Sequence, residues 1–339
     1  MNTREVIQAW GKILMGYRPS LSIEITKECP LRCPGCYAYA DGHVAEGTNL
    51  RDLSDHRGDM LVRNVLAVVD EHRPLHLSIV GGDPLVRFRE LNSLLPDLEK
   101  RGIFVQIVTS AFRPIPLEWA GMKRVGVVVS IDGLQPEHDA RRKPATYERI
   151  LKNIAGHRIT VHCTITAQMM DRPNYLEDFL QFWSAREEVG KVWMSMFTPQ
   201  RGEVAAEILS PAQRMQAIME LQRLRKVYSK LEMFDAQVKE FAHPPASPQE
   251  CVFAQTTTVI SADLKTQITP CQLGGNPDCS QCGCVASMGL AAVGKHHLGL
   301  GLTAGKVFEV SNKAGTQLRK WRMRNRRHEP KGALIAISD

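Results

Sequence analysis

Short apolar runs alternate with longer amphipathic segments over most of this chain. Several of the runs are almost continuously hydrophobic, which favours strands of a parallel sheet that helices cover on one face. We predict six such strands, at residues 21–26, 75–80, 103–109, 125–131, 159–166 and 192–197. Helices are predicted between and after them, at residues 58–72, 88–101, 145–156, 174–188 and 210–229. This alternation indicates an α/β fold, an open partial (β/α)6 TIM barrel, in which ligands bind at the carboxyl ends of the strands.

The composition changes after a Pro-rich segment at residues 243–248. Five of the nine cysteines lie between Cys251 and Cys284, and the sequence between residues 256 and 269 has the pattern of a β-hairpin. We therefore predict four parts, which are an N-terminal helix at 1–19, the barrel at 20–242, a small C-terminal cysteine-rich hairpin subdomain at 243–290, and a C-terminal extension with a basic tail at 291–339.

The 339-residue chain has an ordinary globular composition, with 43% hydrophobic and 23% charged residues. Its net charge of +7 suits an anionic ligand but does not require nucleic acid, and we expect no nucleic-acid partner. Residues 1–17 lack the apolar segment of a signal peptide, and no apolar run reaches the ~18 residues of a membrane span. Nine cysteines without a secretory signal indicate the reducing cytoplasm and favour metal or cluster ligation over disulfides.

The two terminal segments of the sequence are compatible with binding to a membrane surface. Residues 318–327 carry six basic residues and no acidic one, and residues 6–17 are modestly amphipathic. The alternative interpretations are a solvated basic tail and a helix that packs against the barrel. We therefore expect a cytoplasmic protein, with peripheral association with a membrane as a further option.

Three cysteines, Cys29, Cys33 and Cys36, lie close together in the run Thr26-Lys-Glu-Cys-Pro-Leu-Arg-Cys-Pro-Gly-Cys-Tyr37, directly after the first predicted strand. Three thiolates at this spacing can bind three irons of a [4Fe–4S] cluster. The fourth iron then has no protein ligand and is free to bind a small molecule and pass it an electron. A structural zinc site is the alternative, and His43 is the only nearby candidate for its fourth ligand.

The cysteine loop resembles the signature of the radical S-adenosylmethionine (radical SAM) superfamily. The resemblance implies that the open iron binds the amino and carboxylate groups of SAM. One electron then cleaves the sulfonium, and the resulting 5′-deoxyadenosyl radical abstracts a hydrogen atom from the substrate. In this sequence Gly35 occupies a position where the family often has an aromatic residue, and Tyr37 follows the third cysteine.

Two further segments are similar to SAM-binding parts of that family. Gly81-Gly82-Asp83-Pro84 ends the second predicted strand and resembles the Gly-Gly-Glu-Pro segment, whose backbone binds the amino group of SAM. The run Ser130-Ile-Asp-Gly followed by His138-Asp-Ala-Arg-Arg142 resembles a motif whose Ser and Arg reach the ribose and the carboxylate of SAM. The resemblance therefore implies SAM contacts at Gly81, Gly82, Asp83, Pro84, Ser130 and Arg142.

The late cysteines resemble the twitch subdomain, a relative of the SPASM domain, which holds one auxiliary [4Fe–4S] cluster. We favour Cys251, Cys271, Cys279 and Cys282 as its ligands, with Cys284 spare or exchanging with Cys279. A zinc site with four cysteine ligands is the alternative interpretation. An auxiliary cluster with four protein ligands could relay an electron, and one with an open iron could bind substrate.

The resemblance predicts a radical SAM enzyme that uses a SAM-binding [4Fe–4S] cluster, SAM and an auxiliary cluster. The expected partners are a small electron-transfer protein of the flavodoxin or ferredoxin type and a peptide, small-molecule, natural-product or lipid substrate. Oxidation or bond formation on a peptide or small molecule and the modification of an isoprenoid or lipid remain alternatives. A non-catalytic zinc-binding module is a third interpretation, which metal analysis would separate from the enzyme.

Overall fold

The computed structural model describes residues 3–299 and 301–326. Its main sheet has seven parallel strands in the order β6-β5-β4-β3-β2-β1-β7, so that β6 and β7 are the edges of an open barrel. The strands of the main sheet are β1 (Ser20–Glu24), β2 (His76–Val80), β3 (Phe104–Thr109), β4 (Val125–Ser130), β5 (Ile159–Ile165), β6 (Val189–Met196) and β7 (Thr257–Ile260). A separate antiparallel pair consists of β8 (His297–Gly299) and β9 (Leu302–Thr303).

Helices connect the strands of the main sheet. One further helix directly precedes its last strand, β7, and two more follow that strand. In chain order they are α1 (Thr3–Leu14), α2 (Gly58–His72), α3 (Phe88–Lys100), α4 (Glu137–Arg141), α5 (Tyr147–Asn153), α6 (Ala167–Met170), α7 (Tyr175–Ser184), α8 (Pro211–Leu224), α9 (Asp235–Glu240), α10 (Val252–Thr256), α11 (Val285–Lys295) and α12 (Ala304–Arg326). Short 3-10 helices occur at Tyr37–Tyr39, Leu50–Asp52, Pro84–Arg87, Leu117–Gly121 and Cys279–Gln281.

The six strands and five helices that the sequence predicts are all confirmed, with bounds that differ by a few residues. The start of α8 shows why the pattern was readable. The Ser210 hydroxyl oxygen accepts a hydrogen bond from the Gln213 amide, the Ser210 amide donates to the Gln213 side-chain oxygen, and Pro211 occupies the first turn.

The sheet differs from the sequence prediction by one strand. Residues 257–260, which we assigned to the first arm of a hairpin, form β7 and pair in parallel with β1. The chain does turn back after β7, since the Ile268 amide donates to the Val259 carbonyl. Cys251 and Cys271 lie before and after this segment in the sequence. The pairing of β7 with β1 therefore brings the late cysteine region beside the strand that precedes the first cysteine loop. The domain boundaries at residues 242 and 290 stay a prediction.

Strand β5 shows how the sheet divides apolar from polar positions. Its residues alternate between buried and half-buried, with Cys163 among the buried ones and His162 and Thr164 among the half-buried ones. Cys163 belongs to the main hydrophobic core, as we expect for a lone strand cysteine. The polar residues of β5 therefore lie on the face opposite the core.

The two ends of the described chain pack against each other. Trp10 of α1 donates a hydrogen bond to Ser311 of α12, and Gly16 lies so close to Gly315 that a side chain at either position would overlap backbone atoms. Among the described residues, no helix has the length and apolar character needed to cross a membrane. The predicted basic run ends outside the described residues, because Arg327 is not among them.

Candidate functional site

The first cysteine loop leaves the carboxyl end of β1 and ends at the 3-10 helix Tyr37–Tyr39. Cys29, Cys33 and Cys36 are all free and half-buried. The Leu31 amide donates to the Cys29 sulfur at 3.4 Å, so the loop curls around this thiol. The loop lies at the edge of the sheet where parallel-stranded barrels carry their functional groups.

Burial raises the pKa of the Cys29 thiol to about 12, and burial also raises the pKa of Cys33. Protonated thiols are poor ligands, but an iron ion that binds a thiol displaces its proton. Thiolates are the donors that iron–sulfur clusters require, and the donor set fits such a group. Among residues 3–299 and 301–326, no three His, Cys, Asp or Glu side chains converge on a point for a single metal ion. In a cluster, each thiolate binds a different iron.

The Gly-Gly-Asp segment after β2 holds the cysteine loop by its backbone. The Gly82 amide donates to the Thr26 carbonyl at 2.7 Å, and the Asp83 amide donates to the Glu28 carbonyl at 2.9 Å. A Cβ atom on Gly82 would overlap the Glu28 carbonyl, so only glycine permits this approach. The segment therefore positions the loop, whatever else it binds.

The Asp83 side chain is directed away from the loop towards the end of β3. Its carboxylate accepts hydrogen bonds from the Thr109 hydroxyl at 2.6 Å, from the Ser110 hydroxyl at 2.6 Å and amide at 2.9 Å, and from the Leu85 amide at 3.0 Å. Burial raises the pKa of Asp83, although these hydrogen bonds oppose the shift. Thr109 and Ser110, at the end of β3, thus serve as donors to Asp83.

Arg142 is fixed at the end of β4 by a buried carboxylate. Its Nε donates to Asp132 Oδ2 at 2.7 Å, and Arg141 Nε lies 3.1 Å from the same oxygen. Burial alone would lower the pKa of Arg142, but the charges of Asp132 and the Cys33 thiolate raise it. Asp132 is therefore the partner that keeps Arg142 charged beside the cysteine loop.

His138 supports this arrangement from behind. Its Nε2 lies 2.7 Å from the Ala145 carbonyl, which can only accept, so Nε2 carries the hydrogen and Nδ1 accepts from the Asp132 amide at 3.1 Å. Burial lowers the pKa of His138 to about 4, which keeps the ring neutral near neutral pH. Ser130, the other predicted SAM contact on this segment, ends β4 and is half-buried.

The five late cysteines line one cavity, together with Thr198, Pro245, Pro248, Phe253, Ala254, Gln272, Leu273, Pro277 and Ser287. Cys251 lies 3.1 Å from the Ser287 hydroxyl, and Gln272 donates to the Cys284 sulfur at 3.6 Å. Burial raises the pKa of Cys271 to about 12 and also raises the pKa of Cys279, Cys282 and Cys284. The structure brings together the four ligands that we favoured and the fifth cysteine as well.

Arg214 of α8 anchors the late cysteine segment to the barrel. Its guanidinium donates to the carbonyls of Gln281 at 3.1 Å and Cys282 at 2.5 Å. The Met196 amide at the end of β6 donates to the Gly283 carbonyl at 2.9 Å. The cysteine-rich segment is therefore attached at the β6 edge as well as through β7.

His43, the one nearby candidate for a fourth zinc ligand, has both ring nitrogens engaged elsewhere. Its Nε2 lies 2.7 Å from Glu24 Oε1, and its Nδ1 lies 3.0 Å from the Leu273 carbonyl. The Ser261 hydroxyl donates to the other Glu24 oxygen at 2.5 Å. Sequence reasoning missed Glu24, although an acidic residue that ends a buried strand is a signal that could have found it.

His162 is a second residue that sequence reasoning missed. It pairs in register with Ser130 of the neighbouring strand, and its Nε2 lies 2.8 Å from the Ser195 hydroxyl oxygen. The Val285 amide, next to Cys284, donates to the same oxygen at 3.2 Å. Burial lowers the pKa of His162 to about 4. His162 therefore lies on the strand beside the end of β4, and its ring is linked through Ser195 to the late cysteine segment.

Residues 23–182 match the sequence profile of the family described as the Radical SAM superfamily. This matched region contains the first cysteine loop, the Gly-Gly-Asp-Pro segment, Ser130 and Arg142. A curated relative, the 7-carboxy-7-deazaguanine synthase of Hyperthermus butylicus, is 31% identical over 102 residues. Those residues are 30% of this chain and 39% of that enzyme.

Two solved structures of Streptococcus suis SuiB share the fold. SuiB bound to the precursor peptide SuiA has a TM-score of 0.53 and 16% identity, over 76% of this chain and 60% of that one. SuiB bound to S-adenosylmethionine has a TM-score of 0.52 and 15% identity, over 76% and 60% of the two chains. This chain thus spans less than two thirds of the length of these relatives.

Proposed function

Because residues 23–182 match the profile of the Radical SAM superfamily, we propose that the chain is an enzyme that cleaves S-adenosylmethionine and removes a hydrogen atom from an organic substrate. When bound at Cys29, Cys33 and Cys36, a [4Fe–4S] cluster supplies the electron that cleaves the sulfonium to a 5′-deoxyadenosyl radical. The electron comes from a small carrier protein of the flavodoxin or ferredoxin type.

One observation carries the proposal, and it is the attachment of the three-cysteine loop to the other family motifs. Gly82 and Asp83 hold the loop by backbone hydrogen bonds, and Arg142 is kept charged near Cys33 by Asp132. A zinc knuckle alone needs neither a second backbone segment nor a half-buried, ion-paired guanidinium beside it.

The roles of the chain's own residues follow from their chemistry. Arg142 binds the carboxylate of SAM, because a guanidinium offers two parallel donors and Asp132 occupies only one part of it. Ser130 donates to the ribose, and the backbone of Gly81, Gly82, Asp83 and Pro84 binds the amino group. The half-buried walls limit access of water to the reacting atoms.

We further propose that the late cysteines hold an auxiliary [4Fe–4S] cluster. All five line one cavity, which supports four ligands from among Cys251, Cys271, Cys279, Cys282 and Cys284. Substrate enters between the mouth of the barrel and residues 243–290. The hydrogen bonds from β6 to the Gly283 segment support this position for the second site.

The test is anaerobic incubation of the purified chain with SAM and a chemical reductant, with 5′-deoxyadenosine as the product measured. We expect the nucleoside from the wild-type chain and from Cys163→Ala, because Cys163 lies in the main hydrophobic core and its loss removes none of the proposed iron ligands. We expect none from Cys33→Ala. Zinc without iron in the wild-type protein, and no nucleoside, would favour the non-catalytic zinc-binding module instead.

A further inference from the structure

Glu24 and His43 form a buried hydrogen-bonded pair that the proposed chemistry does not use. Their side chains are 1% and 0% exposed, and Nε2 of His43 lies 2.7 Å from the Glu24 carboxylate. A carboxylate removed from water in this way is stable only with a close partner. A buried polar pair at the end of β1 is therefore expected to have a structural or functional role.

The hydrogen bonds of the pair fix the orientation of both side chains. The Leu273 carbonyl can only accept, so Nδ1 of His43 carries a hydrogen and donates to it at 3.0 Å. One further proton lies between Nε2 and the Glu24 carboxylate, whichever group holds it. The Ser261 hydroxyl donates to the second carboxylate oxygen at 2.5 Å. Both groups are therefore fully engaged in fixed directions.

The pair connects the two cysteine regions. Glu24 ends the strand that leads into the first cysteine loop, and the Tyr37 ring at the end of that loop lies 5.5 Å from the His43 ring, centroid to centroid. On the other side, Leu273 lies between Cys271 and Cys279, and Gly274 approaches His43 so closely that a Cβ would overlap its carbonyl. The turn from Cys271 to Gly274 is closed by a bond from the Gly274 amide to the Cys271 carbonyl.

We propose that Glu24 and His43 are a positioning pair that holds the Cys271 turn against the end of β1, in the geometry that the late cysteines need to bind a cluster. The inference rests on the proposed auxiliary cluster. The pair acts through Leu273 and touches no reacting atom, so it orders the site and takes no part in chemistry.

The first cysteine loop does not depend on the pair in the same way. It is held by the bonds from Gly82 to Thr26 and from Asp83 to Glu28, on the opposite side of β1. Loss of His43 is therefore expected to affect the late site selectively. This selectivity separates a positioning role from a general loss of stability.

The experiment counts iron at the late site alone. In a full-length background with Cys29, Cys33 and Cys36 all changed to Ala, anaerobic reconstitution should leave about four irons per chain. We expect His43→Leu in that background to fall below about one iron and to lose the electron paramagnetic resonance (EPR) signal of the reduced cluster. The matched control is His157→Leu, because His157 is also buried and hydrogen-bonded to a carbonyl, that of Ile115 at 3.2 Å.

A second variant separates folding from positioning. His43→Leu leaves the Glu24 carboxylate buried without its partner, whereas Glu24→Leu together with His43→Leu replaces the pair by apolar groups. We expect the double variant to regain the urea midpoint that His43→Leu loses, yet to bind no more iron, because the bond to Leu273 is still missing. Recovery of iron by the double variant would contradict the positioning role.

The proposal is overturned if His43→Leu keeps the iron and the EPR signal of its background, or if His157→Leu loses them equally. If the chain with Cys29, Cys33 and Cys36 changed to Ala binds no iron at all, this result refutes the auxiliary cluster instead. Hydrogen exchange on the metal-free chain then decides the positioning role. The Gly274 amide should exchange at least tenfold faster in His43→Leu than in His157→Leu, and equal rates would contradict the pair's action on this turn.

Discussion

Arg142 Nε lies 2.7 Å from Asp132 Oδ2, and Arg141 Nε lies 3.1 Å from the same oxygen. Burial alone would raise the pKa of Asp132, but the two guanidinium groups hold that pKa below its usual range. The carboxylate therefore stays charged and keeps Arg142 near the Cys33 thiol. A guanidinium that is fixed in position and half-buried is a strong site for a ligand carboxylate.

The first prediction concerns SAM affinity. Arg142→Met should weaken SAM binding at least tenfold, which corresponds to about 1.4 kcal/mol, because the ligand carboxylate loses its charged partner. Equilibrium binding to the anaerobically reconstituted chain measures this. Arg172→Met is the matched control, since Arg172 forms an exposed pair with Glu137 on the surface. Equal SAM affinities in the wild type and Arg142→Met would show that Arg142 does not bind SAM.

A second prediction tests the contact between Gly82 and the cysteine loop. Gly82→Ala should displace the loop and cost about 2 kcal/mol of unfolding free energy, because the added Cβ overlaps the Glu28 carbonyl. Iron bound at the first site should fall with it. Gly126→Ala is a suitable control, because nothing lies within 4 Å of its added Cβ. Urea unfolding and iron analysis measure the two effects, and full iron retention by Gly82→Ala would argue against the contact.

The third prediction concerns the departure from the family's Gly-Gly-Glu-Pro pattern. Asp83→Ala should cost about 3 kcal/mol, because the buried Thr109 and Ser110 hydroxyls lose their acceptor. Asp83→Glu should also lower the free energy of unfolding, because the longer side chain overfills a buried position. Thermal unfolding of both variants measures this. A wild-type midpoint for Asp83→Glu would show that the site has more room than these contacts allow.

A pH prediction follows from His138. Its pKa is lowered from 6.5 to about 4 by burial, so between these values the unfolded chain binds a proton that the folded chain does not. Stability should therefore fall as the pH decreases through this window, by at most about 3 kcal/mol at ~1.4 kcal/mol per pKa unit. Urea unfolding of the metal-free chain at pH 4.5 and 7 measures the difference. His138→Gln should reduce this pH dependence, and an unchanged slope would assign it to other groups.

The sequence was sufficient for features that are local in the chain. The spacing of Cys29, Cys33 and Cys36, the glycines before Asp83 and the alternation of apolar runs each depend on neighbouring residues. The six predicted strands and the five predicted helices were therefore confirmed.

The features that the sequence did not reveal depend on contacts between distant residues. Strand β7 has only four residues and two threonines, and its place beside β1 is set by tertiary pairing. His43 and Leu273 are 230 positions apart, so no local pattern could have shown their hydrogen bond. His162 needed the register with Ser130 before it could be related to the site.

The most direct test of the account is EPR spectroscopy of the anaerobically reconstituted, reduced chain before and after addition of SAM. We expect a [4Fe–4S] signal from the first cysteine loop whose g values change when SAM binds the open iron, and the loss of that change in Cys33→Ala. A wild-type spectrum that SAM leaves unchanged, or zinc in place of iron at Cys29, Cys33 and Cys36, would contradict the central claim.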